Sequence, residues 1–275
     1  MRVLLFALAF LCCAGPAAAD RYLLTYSGLA LNLVPLGEIN VDITITRRGY
    51  EANAHLRSSG LMNLFERTDL RAVSRGAIDE SGVQWRRYSL DHRYSHKHRT
   101  IEMRPTAESV RARIEPTYRL WGDPPASDDE KRASRDPLST LVAMAVDVSR
   151  TQRCSGAYPT FDGRFHYIMS LGDGGVERYR GGGFEGDVLE CELIYSAISG
   201  FEQTDNGRRR ITQGRIWFAL GDPAFAPPVR ISTPLSAGGA VIRLTDWRRV
   251  EVTVGEDVSA PEDVEEAAEP AETPQ

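Results

Sequence analysis

The chain has 275 residues, 42% of them hydrophobic, with 33 basic and 38 acidic residues for a formal net charge of −5. That is enough apolar material for one domain with its own core. Beyond the N-terminus no run approaches eighteen apolar residues, which excludes a membrane-spanning helix from the rest of the chain.

Residues 1–19 have the pattern of an export signal. Arg2 gives the positive start, Val3 to Cys13 the apolar stretch, and Ala17-Ala18-Ala19 a small-residue cleavage site. No small residue stands just before Cys12 or Cys13, so a lipoprotein signal is not expected. Cleavage after Ala19 predicts a soluble periplasmic protein with two cysteines, Cys154 and Cys191. In an oxidising compartment two cysteines with none left over predict one disulfide.

Tyr22–Leu29 reads as a first strand. Between Glu38 and Arg47, Ile39, Val41, Ile43 and Ile45 alternate with Asn40, Asp42, Thr44 and Thr46, the period of a strand with one dry face. Tyr50, Ala52, Ala54 and Leu56 continue it, and Leu61–Phe65 is an apolar run of either type. Residues 67–76 and 83–95 form an expected hairpin around Asp79-Glu80-Ser81-Gly82. Strands near 98–104 and 109–115 extend the meander. Gly122-Asp123-Pro124-Pro125 and the charged run to Arg135 read as a surface loop.

The one convincing helix follows, near 137–149. Asp136 is its expected N-cap and Pro137 its first residue, where a missing N–H costs nothing. Leu138, Leu141, Val142 and Ala145 recur at helical spacing, and with almost no polar face the helix is expected to be buried, Leu141 and Val142 included. It reads as a plug against the concave face of a curved sheet.

After Cys154, Asp162-Gly163 predicts a two-residue hairpin turn. Gly172-Asp173-Gly174-Gly175 and Gly181-Gly182-Gly183 bracket another hairpin. Leu189, Cys191, Leu193 and Tyr195 share a face that points Cys191 inward, and Asn206-Gly207 is a further turn signal. Strands near 210–220, 228–235 and 239–252 complete an all-β domain over 20–252, a single curved, mainly antiparallel sheet of spiral or half-barrel form.

From Glu256 onward there are eight carboxylates and no basic residue, so 253–275 reads as a disordered acidic tail. Without Arg2 and those carboxylates, Asp20–Gly255 is near +2. The tail is expected to be solvated, or to fold back on a basic groove.

The ordered set Asp136-Pro137-Leu138-Ser139, Phe161-Asp162-Gly163-Arg164, Cys191, Tyr195, Gly200-Phe201, Ile216-Trp217 and Pro228-Val229-Arg230-Ile231 resembles an exported bacterial family of unknown function, DUF3108, over roughly residues 20–252. The resemblance implies a periplasmic β-rich protein, similar in shape to the half-barrels of periplasmic lipoprotein carriers, and brings no catalytic residues with it.

Three patterns bear on chemistry. His92, Tyr94, His96 and His98 would share one face if they lay on one strand, and three imidazoles there would suit zinc or copper. Arg93, Lys97 and Arg99 crowd that strand with positive charge, so the expectation is a polar or anion-facing surface and no metal. Gly181-x-Gly183-x-x-Gly186 matches the dinucleotide fingerprint only formally, because a strand follows where a helix is needed. Glu185, Asp187, Glu190 and Glu192 lack any sequence sign of the cleft that paired catalytic carboxylates require.

Arg111, Arg113, Arg119, Arg208, Arg209, Arg210, Arg215, Arg248 and Arg249 make the body arginine-rich. In an exported chain this points to anionic lipid, glycan, an envelope protein or the chain's own tail rather than to nucleic acid. There is no G-x-S-x-G, H-E-x-x-H or P-loop, and no cofactor is expected. The leading expectation is a non-enzymatic envelope protein holding a lipid-like or extended ligand on a concave sheet face. The rival is a structural scaffold for envelope complexes. A metal-dependent hydrolase built on the histidine strand is the enzyme alternative.

Overall fold

The structure, a computed structural model, describes residues 17–31, 33–60, 63, 67–202, 213–235 and 238–254. The apolar run 61–65 (except Asn63), the expected Asn206-Gly207 turn, residues 1–16 of the expected export signal and residues 255–275 of the expected tail lie outside these residues. Thr253 and Val254, expected in the tail, are strand residues because they pair with Ala18 and Ala17.

Thirteen strands form one antiparallel sheet in the order β7-β6-β5-β4-β3-β2-β1-β13-β12-β11-β10-β9-β8. The first meander runs outward through β1 (Ala17–Ala30), β2 (Val34–Ile45), β3 (Gly49–Ser58), β4 (Thr68–Asp79), β5 (Gly82–Tyr94), β6 (Lys97–Pro105) and β7 (Val110–Glu115). The second returns through β8 (Ala157–Phe161), β9 (His166–Gly181), β10 (Phe184–Ser199), β11 (Gln213–Ala219), β12 (Pro228–Leu235) and β13 (Gly238–Val254). The terminal strands β1 and β13 pair in the middle, so the two outermost strands are those flanking the helices.

Alternation decides which face is dry. Tyr22, Leu24 and Tyr26 on β1 are buried, as are Ile43 and Ile45 on β2, while Arg21 and Asp42 pair outside at 2.6 Å. β1 begins at Ala17, where Ala17, Ala18 and Ala19 pair with Val254, Thr253 and Val252. The cut expected after Ala19 would remove the last three pairs of the β1–β13 ladder.

Two helices are present among the described residues, one more than the sequence predicts. The charged run holds α1 (Asp128–Arg132), closed by a capping box between Ser127 and Glu130. This helix packs against both outermost strands, β7 and β8. Asp128 accepts a 2.7 Å hydrogen bond from Ser109, just before β7, and Glu130 accepts one of 2.9 Å from Ser199 at the end of β10. Glu130 Oε1 also lies 3.5 Å from Nδ1 of buried His166. Burial pushes the Glu130 carboxyl up, but bonds from the Ser127 amide, Ser199 and Ser127 outweigh it and hold the group below its usual range. Burial lowers the His166 pKa.

The second helix, α2 (Pro137–Thr151), is the expected one. Asp136 caps it by accepting from the amides of Leu138 (3.0 Å) and Ser139 (2.9 Å), with Pro137 in the first turn. It lies on the concave face against β3, β4, β5 and β8. Val142, Ala143, Met144, Ala145, Val146 and Val148 are buried. Leu141 is not, contrary to the expectation that both Leu141 and Val142 are core. It is 37% exposed, because a helix lying on one curved face still shows a narrow stripe to solvent.

Two glycine-rich turns also differ from expectation. Gly172–Gly175 do not turn: they lie within β9, opposite Glu190, Cys191 and Glu192. The reason sits across the sheet. A Cβ on Gly174 would come within 2.5 Å of Cys154 Sγ and 1.8 Å of Glu190 O, so the glycine makes room for the disulfide. Cys154 and Cys191 are bonded as expected, with Cα atoms 5.4 Å apart, tying the chain after α2 to β10. The Asp162-Gly163 turn spans four residues, 162–165, and not two, because Asp162 Oδ1 accepts from the amides of Arg164 (2.9 Å) and Phe165 (2.7 Å) and holds the loop open.

Candidate functional site

The strand parity divides the interior into two ends. At one end turn the hairpins β2–β3, β4–β5 and β9–β10, and there α2 fills the concave face. Loop 220–227 seals it: the Ala226 amide donates to Ala145 O at 3.1 Å, and Phe225 and Ala226 are buried.

The buried polar groups at this end serve the helix cap. Ser74 Oγ donates to Asp136 Oδ2 at 2.9 Å, Ser139 Oγ donates to the same oxygen, and Tyr50 OH lies 2.6 Å from Ser139 Oγ. Asp136, Ser74 and Ser139 are fully enclosed and Tyr50 nearly so. Burial pushes the Asp136 carboxyl up to about 6, and the four hydrogen bonds restrain it from rising further. Burial, with the Asp136 charge second, raises the Tyr50 phenol as well. With no access for a substrate, the cluster is a structural cap.

The opposite end, where β5–β6 and β8–β9 turn, is not filled by a helix. A cavity of about 410 Å³ opens there, lined by Phe165, Tyr167, Met169, Leu193, Tyr195, Phe201 and Ile231 together with Asp162, Gln213, Gly214, Ser232 and Thr233. Its walls are almost wholly apolar. Tyr167 and Tyr195 sit with ring centroids 5.0 Å apart, and Phe165 stacks on Phe201 at 4.5 Å. Burial raises the Tyr167 phenol well above its ordinary value.

A second cavity, about 620 Å³, adjoins the first and shares Asp162 and Phe165 with it. Tyr88, Leu90, His92 and Tyr94 of β5, Arg99 and Ile101 of β6, Tyr118, Arg119 and Leu120, and Arg164 and Glu202 complete it. The guanidiniums of Arg99 and Arg164 both lie against the Tyr118 ring, 4.0 and 5.4 Å from its centroid. Arg164 donates to Glu202 at 2.7 Å.

Three loop segments build the wall between. The Asp123 amide donates to Phe201 O at 3.0 Å and the Gly200 amide to Pro124 O at 2.8 Å. A Cβ on Gly122 (φ +91°) would meet the Gly200 backbone at 2.1 Å, and one on Gly200 (φ +85°) would meet Arg164 O at 2.1 Å. No other residue type fits at either position.

Each predicted site residue can now be placed. Asp136 and Pro137 start α2 as expected, and Cys154–Cys191 is formed. Asp162 lines both cavities, and Gly163 (φ +104°) lets the loop pass against Ile101 and Ile114 of the opposite edge.

The histidines do not share a face. β5 ends at Tyr94, Ser95 turns with φ +51°, and β6 begins at Lys97, so His92 pairs with Arg99 and Arg93 with His98. Paired residues point the same way and neighbours the opposite way. His92 thus faces the cavity beside Tyr94, His98 reaches Asp91 on the outer face at 3.1 Å, and His96 is exposed in the turn. Among the described residues no group of three His, Cys, Asp or Glu is placed to hold a metal ion.

Sequence reasoning missed the cavity-lining set around Tyr118, Arg164, Phe165, Tyr167 and Tyr195. Its only local trace is Tyr118-Arg119-Leu120-Trp121, an aromatic and cationic run inside what reads as a loop. No helix among the described residues is long and apolar enough to cross a membrane, which says nothing of strands.

Comparison with known proteins agrees with this geometry at the level of fold. No curated protein matches the chain. A solved structure, described as a β-barrel-like protein of domain of unknown function DUF1849 from Brucella abortus, superposes with a TM-score of 0.50 at 10% identity. It covers 86% of this chain and 99% of that one. The likeness concerns the curled sheet alone. The model of a family described as a protein of unknown function, DUF3108, matches residues 21–245, nearly the whole sheet and both helices, and the chain belongs to that family.

Proposed function

We propose that this is a non-enzymatic periplasmic cell-envelope protein that binds a lipid-like or extended apolar ligand at the end of the curled sheet left open by α2. The observation that carries the reading is the apolar cavity of about 410 Å³ lined by Tyr167, Met169, Leu193, Tyr195 and Ile231. Ligand pockets are concave and mostly apolar, with a few placed polar groups, and range over roughly 300–1,000 Å³. A sheet whose purpose was only to scaffold would gain stability by filling this volume, as α2 does at the other end.

Export is supported by the pattern of residues 1–19, and the Cys154–Cys191 bond suits an oxidising compartment. Native mass spectrometry of protein purified without detergent from the periplasm of an exporting host tests the whole reading. The expected spectrum has a mature chain beginning at Asp20 and a satellite at the mass of one lipid-sized adduct. A satellite unchanged in Leu193→Trp, which fills the cavity, would contradict it.

A further inference from the structure

The second cavity is unlike the first in one respect that bears on ligand chemistry. Three arginines, Arg99, Arg119 and Arg164, line it with two carboxylates, Asp162 and Glu202. Both carboxylates have work to do within the fold: Asp162 Oδ1 holds the backbone of its own turn, and Glu202 accepts from Arg164. Among the described residues, neither Arg99 nor Arg119 has a carboxylate within ion-pair distance, and Arg99 spends its Nε–H on Pro116 O at 3.1 Å. Arg164 carries a buried Nε with no hydrogen-bond partner among the described residues, although its side chain is only 16% exposed. An orphaned guanidinium donor beneath the surface is costly unless something accepts from it.

The cations are also held in place. Arg99 lies 4.0 Å from the Tyr118 ring centroid, and Arg164 lies 4.8 Å from that of Phe165 and 5.4 Å from that of Tyr118; a guanidinium positioned on aromatic rings is suited to recognising an oxyanion. The apolar cavity begins at Phe165 and Asp162, the two residues it shares with this cationic one.

Resting on the cavity reading above, we infer that the ligand is an amphiphile with a single anionic head, its hydrocarbon chain between Met169, Leu193 and Tyr195 and its carboxylate or phosphate ester at Arg99, Arg119 and Arg164. The charge balance argues for that class over a neutral or cationic lipid. A cationic head would meet a surplus of guanidinium, and a neutral one would leave that surplus charge unpaired and the buried Arg164 Nε without a charged acceptor.

Three probes with one C16 chain test this: palmitate, hexadecanol and hexadecyltrimethylammonium, each titrated below its micellar range against the full chain. Emission of Trp121, whose ring packs edge-on to Tyr118 at 5.5 Å, serves as one readout and calorimetry as the second. Palmitate is expected to bind at least about tenfold more tightly than hexadecanol, as charge-assisted hydrogen bonds to a preformed site imply, and the cation most weakly. In Arg119→Gln and, separately, Arg99→Gln the palmitate advantage should shrink to under about threefold while hexadecanol binding stays as it was. Arg119 is exposed, so its variant is expected to fold even where Arg99→Gln does not. Equal binding of palmitate and hexadecanol by the wild type would overturn the head-group inference and leave the cavity reading intact. Binding of none of the three would overturn both.

Discussion

At the scale of single residues, Asp136 has the largest consequence for folding. Its carboxyl is enclosed and its pKa is raised from 3.8 to about 6, so the folded protein binds this proton more tightly than the unfolded chain does. The sign follows from linkage: between about pH 4 and 6 the folded state carries more of the proton, so the contribution of Asp136 to stability declines as pH rises through that window. A rise from 3.8 to about 6 corresponds to about 3 kcal/mol once the pH is well below both values. In Asp136→Asn that component should disappear, because the amide still accepts from the Leu138 and Ser139 amides but does not titrate. Denaturant unfolding of both proteins at a series of pH values checks it. The stability difference between them should change by about 2 kcal/mol from pH 4 to pH 7, and a constant difference would mean that Asp136 titrates alike in the folded and unfolded chains.

At the scale of elements, the helix and most strands could be read from the sequence because their signals are local. Ile39, Val41, Ile43 and Ile45 alternate, Asp136-Pro137 starts a helix, and Asp79 to Gly82 closes a hairpin, each through contacts within a few residues. The failures are all non-local. Gly172–Gly175 look like a turn, but Gly174 is small because Cys154 and Glu190 approach it from neighbouring segments. The histidine run looks like one strand because the turn at Ser95 contains no glycine, and its left-handed backbone leaves no mark in the sequence. Leu141 and Val142 are adjacent and equally apolar, yet one is 37% exposed and the other 1%, a difference set by where the sheet curves away. This yields a contrast between two substitutions in α2. Met144→Ala, at a fully buried position, should cost about 2–5 kcal/mol through lost transfer energy and a cavity. Leu141→Asp should cost no more than about 1 kcal/mol, in the range of changes at partly exposed positions. Thermal or denaturant melts of the two variants would reverse in order if the helix were turned about its axis.

At the scale of the whole molecule, the single curved sheet with a buried helix follows from strand count, export pattern and the absence of long helices, but the site does not. The cavities exist only because the edges of the sheet curl round to α1, and because segments around Gly122, Arg164 and Gly200 cross at the open end. Their lining comes from β5, β6, β9, β10, β11, β12 and three loops, so no window of sequence contains it. The central claim is that the open end takes an apolar ligand while the helix end is packed solid. Methyl-resolved nuclear magnetic resonance, with hexadecanol titrated into the full chain, addresses both halves at once. The account predicts saturable shifts at the methyls of Met169, Leu193 and Ile231 and none at Met144, Val142 or Val146. Shifts centred on Met144 and Val146, or no saturable shift anywhere, would contradict it.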